Sequence, residues 1–192
     1  YLGGSAGPLE GPLPDPKSRL DLLRDYGRAT RAIAERNYPL AIELFAKLAA
    51  DYPAMIDAWE NLGLAYHQLG RQEEALAAYQ KAMQLSGGTA HIEIGLGRLL
   101  LDLGRGEEAR LHAELALATS PAAAHRLLGE IALADKDYDA AEREARAAFE
   151  AGDAPIGPLV LRARVLAERG RLDEALALTD QAVADLEKAK SE

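Results

Sequence analysis

Residues 59–82 read WENLGLAYHQLGRQEEALAAYQKA. Apolar residues recur every three or four positions, break at Leu69-Gly70-Arg71, and then resume the same spacing, which describes two amphipathic helices joined by a short turn. Ala75, in the second of these helices, has counterparts at Ala41, Ala109, Ala141 and Ala175, so that the intervals along the chain are 34, 34, 32 and 34 residues. A period in this range marks a solenoid, in which each unit buries its apolar face only by stacking on its neighbours.

Aligning on the alanines divides the chain into five units, 22–55, 56–89, 90–121, 122–155 and 156–189. Leu69-Gly70-Arg71, Leu103-Gly104-Arg105 and Arg169-Gly170-Arg171 place glycine where a helix ends in a left-handed residue. After each turn carboxylates open the next helix, as in Glu73-Glu74, Glu107-Glu108, Asp139 and Asp173-Glu174, where they favour the positive end of the helix dipole. Pro39 holds the corresponding place in the first unit, where its missing N–H costs nothing. Residues 1–16 contain four glycines and four prolines and read as a linker, taken to residue 19, with the helical domain covering 20–192.

Composition agrees with an all-α chain: 48% of residues are hydrophobic, mostly alanine and leucine, and only 5% are aromatic. The net charge of −9 and the absence of any basic run make nucleic acid and anionic membrane poor partners. No apolar stretch reaches the roughly 18 to 20 residues needed to cross a bilayer. With no cysteine, disulfides, thiolate catalysis and thiolate metal sites are excluded together, while the redox compartment stays open. The chain opens on Tyr1 rather than methionine, which reads as part of a longer polypeptide.

Trp59, Leu62, Gly63 and Tyr66 in one helix, followed by Ala75, Tyr79 and Ala82 in the next, resemble the signature of the tetratricopeptide repeat family. The third unit keeps Leu96, Gly97, Ala109, Ala116 and Pro121, with Leu100 and Ala113 replacing the aromatics. The fourth keeps Leu128, Gly129, Ala141 and Ala148, and the fifth Ala163, Ala175 and Ala182. The first carries Ala29 in the glycine register and then Ala41, Phe45 and Pro53. The resemblance spans residues 20–189 and implies a right-handed α-solenoid of five helix-turn-helix units. Glycine inside a helix costs roughly 1 kcal/mol against alanine, so Gly63, Gly97 and Gly129 imply close contact between helices. Pro53 and Pro121 are expected to end second helices. The last helix is expected to run on through Glu187-Lys188-Ala189-Lys190 and to cap the stack with a stripe of Leu172, Leu176, Val183 and Leu186 backed by Asp180 and Asp185.

In the resembled family the first helices line a concave groove that holds peptides or helices. That register puts Tyr26, Thr30, Asn61, Leu64, His67, Gln68, His91, Ile94, Arg98, Arg126, Glu130 and Arg164 on the inner wall, with Asp102 and Glu168 beside them. Leu64 and Ile94 would form an apolar floor. Arg98, Arg126 and Arg164 would form a ladder that either grips carboxylates through guanidinium forks or pairs with Glu130, Asp102 and Glu168. Asn61 matches one asparagine of the family's chaperone-tail clamp, but Tyr26, Thr30, His91 and Gly95 depart from the rest, which argues against such a clamp. His67 and His91 are read as surface residues about 15 Å apart along the helix axis rather than metal ligands, with no carboxylate beside them. His125 is placed on a packing face and His112 on a second helix.

Neither a metal nor a cofactor is expected, and no nucleophile, base and acid arrangement emerges. The expected function is a non-catalytic scaffold for a protein or peptide, without nucleic acid or membrane insertion. Self-association through an exposed solenoid end, or through the linker lying in a neighbour's groove, would make a homo-oligomer. The alternative rests on Tyr1-Leu2-Gly3-Gly4 and residues 11–17, which resemble the junction before the repeat tail of some bacterial sulfatases of the alkaline-phosphatase superfamily. This resemblance implies a C-terminal accessory domain outside the cytoplasm, with the hydrolase chemistry upstream of Tyr1. Without it a cytoplasmic location is expected.

Overall fold

The computed structural model describes residues 16–154 and 156–191. The linker expectation for the opening residues falls almost wholly outside the described residues. Ten α-helices follow one another: α1 Pro16–Ala34, α2 Tyr38–Asp51, α3 Ile56–Gln68, α4 Gln72–Ser86, α5 Ala90–Asp102, α6 Gly106–Ala116, α7 Pro121–Ala134, α8 Tyr138–Glu150, α9 Ile156–Glu168 and α10 Leu172–Ser191. No strand occurs among the described residues. Each helix packs on the next in sequence, and α3, α5, α7 and α9 also touch in succession, so the odd-numbered helices share one wall of an α-solenoid of five helix pairs.

The first helix starts at Pro16 rather than near Leu20, and α7 starts at Pro121. Pro121 therefore opens a first helix instead of ending a second one, because the first helical position needs no N–H donor and proline has none. The interval of 32 arises with α6, which has 11 residues where α4 has 15 and α8 has 13. As expected, α10 continues to Ser191. It does not fold its apolar stripe inward, however: Leu172, Leu176 and Val183 are exposed, and Ala175 makes the buried contact. The side chains of Asp185 and Leu186 lie outside the described residues.

All five turns share one geometry. Gly70, Gly104 and Gly170 have φ of 71°, 73° and 75°, and the remaining turns reach the same region with Arg36 at 56° and Lys136 at 60°. In those two units a side chain caps the next helix: Asn37 accepts from the Leu40 amide and Asp137 from the Ala140 amide. Where glycine makes the turn, an arginine follows it and reaches the carboxylate three residues on. Arg71 meets Glu74 at 2.7 Å, Arg105 meets Glu108 at 2.6 Å and Arg171 meets Glu174 at 2.6 Å. These guanidinium groups hold the three carboxyls below their ordinary range.

The core is a ribbon of three clusters, each crossing a boundary between units. One joins α1 to α4 around Phe45, another joins α4 to α7 around Tyr79, Ile92 and Leu127, and the third joins α7 to α9 around Leu161. Ala41, Ala75, Ala109 and Ala141 are fully buried. A Cβ on Gly97 would stand 3.2 Å from the Ala109 carbonyl oxygen, and one on Gly129 would stand 3.5 Å from that of Ala141. In these two pairs the spaced alanine thus faces the helix glycine.

A second close approach explains Gly95. Its Cβ would come within 2.7 Å of the hydroxyl end of the Tyr79 ring, and one on Gly63 within 2.8 Å of the Cγ end of that ring. Tyr79 is wedged between α3 and α5. In the next two junctions its register holds Ala113 and Ala145, and the register of Gly95 holds Leu127 and Leu161. Each of these junctions has one large residue and one small one, with the sides exchanged, which conserves volume.

Two glycine substitutions separate packing from propensity. Gly95→Ala should cost roughly 1 to 3 kcal/mol because the methyl group meets the Tyr79 ring. Gly27→Ala, with nothing within 4 Å of the added carbon, should stabilise α1 by about 0.5–1 kcal/mol. Urea denaturation of both variants checks the pair, and equal signs would refute the wedge.

Candidate functional site

The wall formed by the odd-numbered helices carries the residues expected to face a groove. Leu64 and Ile94 are half-buried, and Ile94 rests on the central core cluster. Around them the polar side chains are tied to one another across the helices. His67 Nε2 lies 2.7 Å from Asp102 Oδ2, joining α3 to α5, and Arg98 donates to Glu130 at 3.3 Å, joining α5 to α7. Arg126 donates to both oxygens of Asp153, at 2.9 and 2.8 Å, and its side chain lies across Gly157 at the start of α9.

An open arginine ladder is therefore not what the structure contains. Arg98 and Arg126 each hold a carboxylate, while Arg164 is exposed and meets none within 4.0 Å among the described residues. The three are also not in one register. Arg98 and Arg164 align with Glu130, whereas Arg126 sits one helical turn earlier and aligns with Ile94. Asp102 pairs with His67 rather than with an arginine, so that histidine does have a carboxylate beside it. The Arg98 Nε is buried without an acceptor.

Other expected groove residues are engaged locally. The Thr30 hydroxyl donates to carbonyls of its own helix, at 3.1 Å to Tyr26 and 3.2 Å to Gly27. The Asn61 amide donates to the Asp57 carbonyl at 2.8 Å. Gln68 accepts from the Tyr38 hydroxyl at 3.5 Å, which directs it towards the start of α2 and away from the neighbouring first helix. Tyr26 stands edge-on to Phe45 with ring centroids 6.1 Å apart. Burial raises its phenol pKa, and the neighbouring Asp57 adds to the effect. His91 is exposed and close enough to Glu60 to act on its charge.

Glu60 was not singled out from the sequence. It is half-buried, and that burial lifts its carboxyl above the ordinary value; His91 opposes the shift and Asp57 adds to it. Equally unforeseen are two hydrogen-bonded histidine–glutamate pairs inside units: His112 Nδ1 lies 2.5 Å from Glu93 Oε2, and His125 Nδ1 lies 2.8 Å from Glu144 Oε2. Glu93 and His125 share one register, as do His112 and Glu144, so the acid and the imidazole have exchanged helices between adjacent units. The identical separation of 19 residues was the available signal. The same register in the second unit holds Trp59, whose indole donates to the Pro53 carbonyl at 2.9 Å.

A hollow of about 350 Å³ lies on the second-helix side, between α2 and α4, lined by Ala46, Ala49, Trp59, Leu62, Tyr66 and Ala78. Among the described residues no group of three or more histidine, aspartate and glutamate side chains could hold a metal ion. None of the described helices is long and apolar enough to cross a membrane.

Family models described as tetratricopeptide repeat match residues 26–88 and 94–155, and a further one matches 157–181. No curated protein sequence matches the chain. Among solved structures it is similar to TTC0263, a thermophilic TPR protein in Thermus thermophilus, at 22% identity and a TM-score of 0.77, over 85% of this chain and 90% of that one. It is similar to PilW, a widely conserved type IV pilus biogenesis factor, at 19% identity and a TM-score of 0.75, over 86% and 78%. A MamA protein matches at 19% identity and a TM-score of 0.60, over 88% and 94%. At these identities the likeness is one of fold.

A carboxyl whose pKa is raised by folding binds more protons in the folded state, so its contribution to stability is present at low pH and is lost as pH rises through the folded pKa. Glu60→Gln should therefore melt at a higher temperature than the parent at pH 7, and the gap should close below about pH 4. Thermal melts monitored by circular dichroism across pH 3–8 check this. A gap that is constant over that range refutes the assignment.

Proposed function

The chain belongs to the tetratricopeptide repeat family, and from that premise we propose that its odd-numbered helices bind a peptide or helix of a partner protein along their shared wall. The observation that carries this reading is the presence of Leu64 and Ile94, each half-buried, on adjacent first helices, with polar side chains near them joined by cross-helix bonds. Fixed polar groups lose little entropy on binding, and an apolar floor supplies the non-directional part of the affinity. The chain acts as a scaffold and performs no reaction of its own.

The second reading, an accessory tail of a sulfatase-like hydrolase, rests on the opening residues alone. No observation in the helical domain favours it over a free-standing scaffold.

A random twelve-residue peptide display library, selected against the chain, provides the test. Selected peptides should slow amide exchange in Asn61–Gln68 and His91–Asp102, and Ile94→Asp should weaken them by roughly tenfold or more. Leu111→Asp, at an exposed position on α6, should leave them unaffected. Protection confined to the second helices would overturn the proposal.

A further inference from the structure

The two ends of the stack are chemically unlike, and neither is covered among the described residues. Arg24, Arg28 and Arg31 of α1 occupy the registers held by Ala58, Leu62 and Ala65 in α3 and by Ile92, Leu96 and Leu99 in α5. In α3 and α5 those residues are buried in clusters shared with the second helix of the preceding unit. In α1 all three positions are exposed arginines. Arg24 lies 3.1 Å from Asp21 and 3.5 Å from Asp25, whereas Arg28 and Arg31 meet no carboxylate within 4.0 Å among the described residues.

At the other end, Leu176 and Val183 of α10 are 62% and 54% exposed. Their registers hold Ile42 and Ala49 in α2 and Leu76 and Met83 in α4, which pack into clusters with the first helix of the following unit. Leu172, 65% exposed, extends the stripe by one turn. Asp173 and Asp180 flank it, and both are exposed.

We propose that copies of this chain stack end to end, with α1 of one copy lying along α10 of the next. The apolar stems of Arg24, Arg28 and Arg31 then cover Leu172, Leu176 and Val183, and their guanidinium groups reach Asp173 and Asp180. The chain already contains this kind of junction. Arg169, in the turn that follows α9, pairs with Asp139 and Glu142 of α8 and lies over the Tyr138 ring, 5.5 Å from its centroid. Asp139 and Asp173 share one register. Because the two faces differ, the contact is head-to-tail, so it extends into chains or closes into rings and does not stop at a two-fold dimer.

Sedimentation velocity of the 192-residue chain from micromolar to millimolar concentration in low salt tests the proposal. The average mass should rise past that of a dimer and fall again in high salt. Asp173→Arg with Asp180→Arg should weaken association by roughly tenfold or more, and Leu176→Lys should do the same. Adding Arg28→Asp and Arg31→Asp to the first pair should restore it. Circular dichroism melts verify that each variant is folded, and Leu111→Asp, at an exposed position on α6, should leave the mass unchanged. A chain that stays monomeric throughout, a plateau at the dimer, or association indifferent to the α10 variants would each overturn the proposal.

Discussion

Two helices of a unit can lie in contact only where both give up side-chain bulk, and the rest of the structure depends on this constraint. Glycine in the first helix and alanine in the second supply the gap at Gly97 with Ala109 and at Gly129 with Ala141. Once the backbones are that close, the space left at the junction admits one large side chain. The chain supplies it from the second helix as Tyr79, or from the following first helix as Leu127 and Leu161. A cavity or a second bulky group there would cost several times the roughly 1 kcal/mol that a helix glycine forfeits. The glycines are therefore retained despite their poor propensity.

Close packing also governs the polar groups. Helices this near to one another leave acidic and basic side chains partly desolvated, and a partly desolvated charge needs a partner within reach. His67, His112 and His125 each have a carboxylate within 2.8 Å on another helix, and His91 acts on Glu60. The exchange of Glu93 and His112 for His125 and Glu144 shows that what the position requires is a hydrogen-bonded pair bridging the helices, with either order of acid and base. In the second unit Trp59 fills the same register and satisfies its indole N–H on the chain itself.

The solenoid was legible because its signal is repeated: the period, the glycine turns and the alanine contacts each recur, so chance matches at one unit are outvoted by the others. Single events were harder to read. Pro121 looked like a helix stop by analogy with Pro53, yet it opens α7, since proline is equally at home in the first turn. The αL turns at Arg36 and Lys136 escaped notice because glycine is the usual mark and here asparagine and aspartate caps accompany non-glycine residues. In the groove, register identified which residues share a wall but not how they are engaged. Whether Arg98 is open or paired depends on Glu130 lying one helix away in space and 32 residues away in sequence.

That pairing narrows what the proposed groove could accept. A ligand carboxylate that captured Arg98 would leave Glu130 without its partner on a half-buried wall, and one that captured Arg126 would do the same to Asp153. Each exchange replaces one ion pair by another and exposes the displaced acid to the incoming charge, so the gain in attraction is offset by repulsion and desolvation. With the net charge already at −9, a strongly acidic segment would also meet an unfavourable long-range field. The wall is better matched to a partner that covers Leu64 and Ile94 with apolar side chains and leaves the existing pairs intact. Specificity would then come from the shape of the floor and the fixed hydrogen-bonding groups at its rim rather than from the arginines.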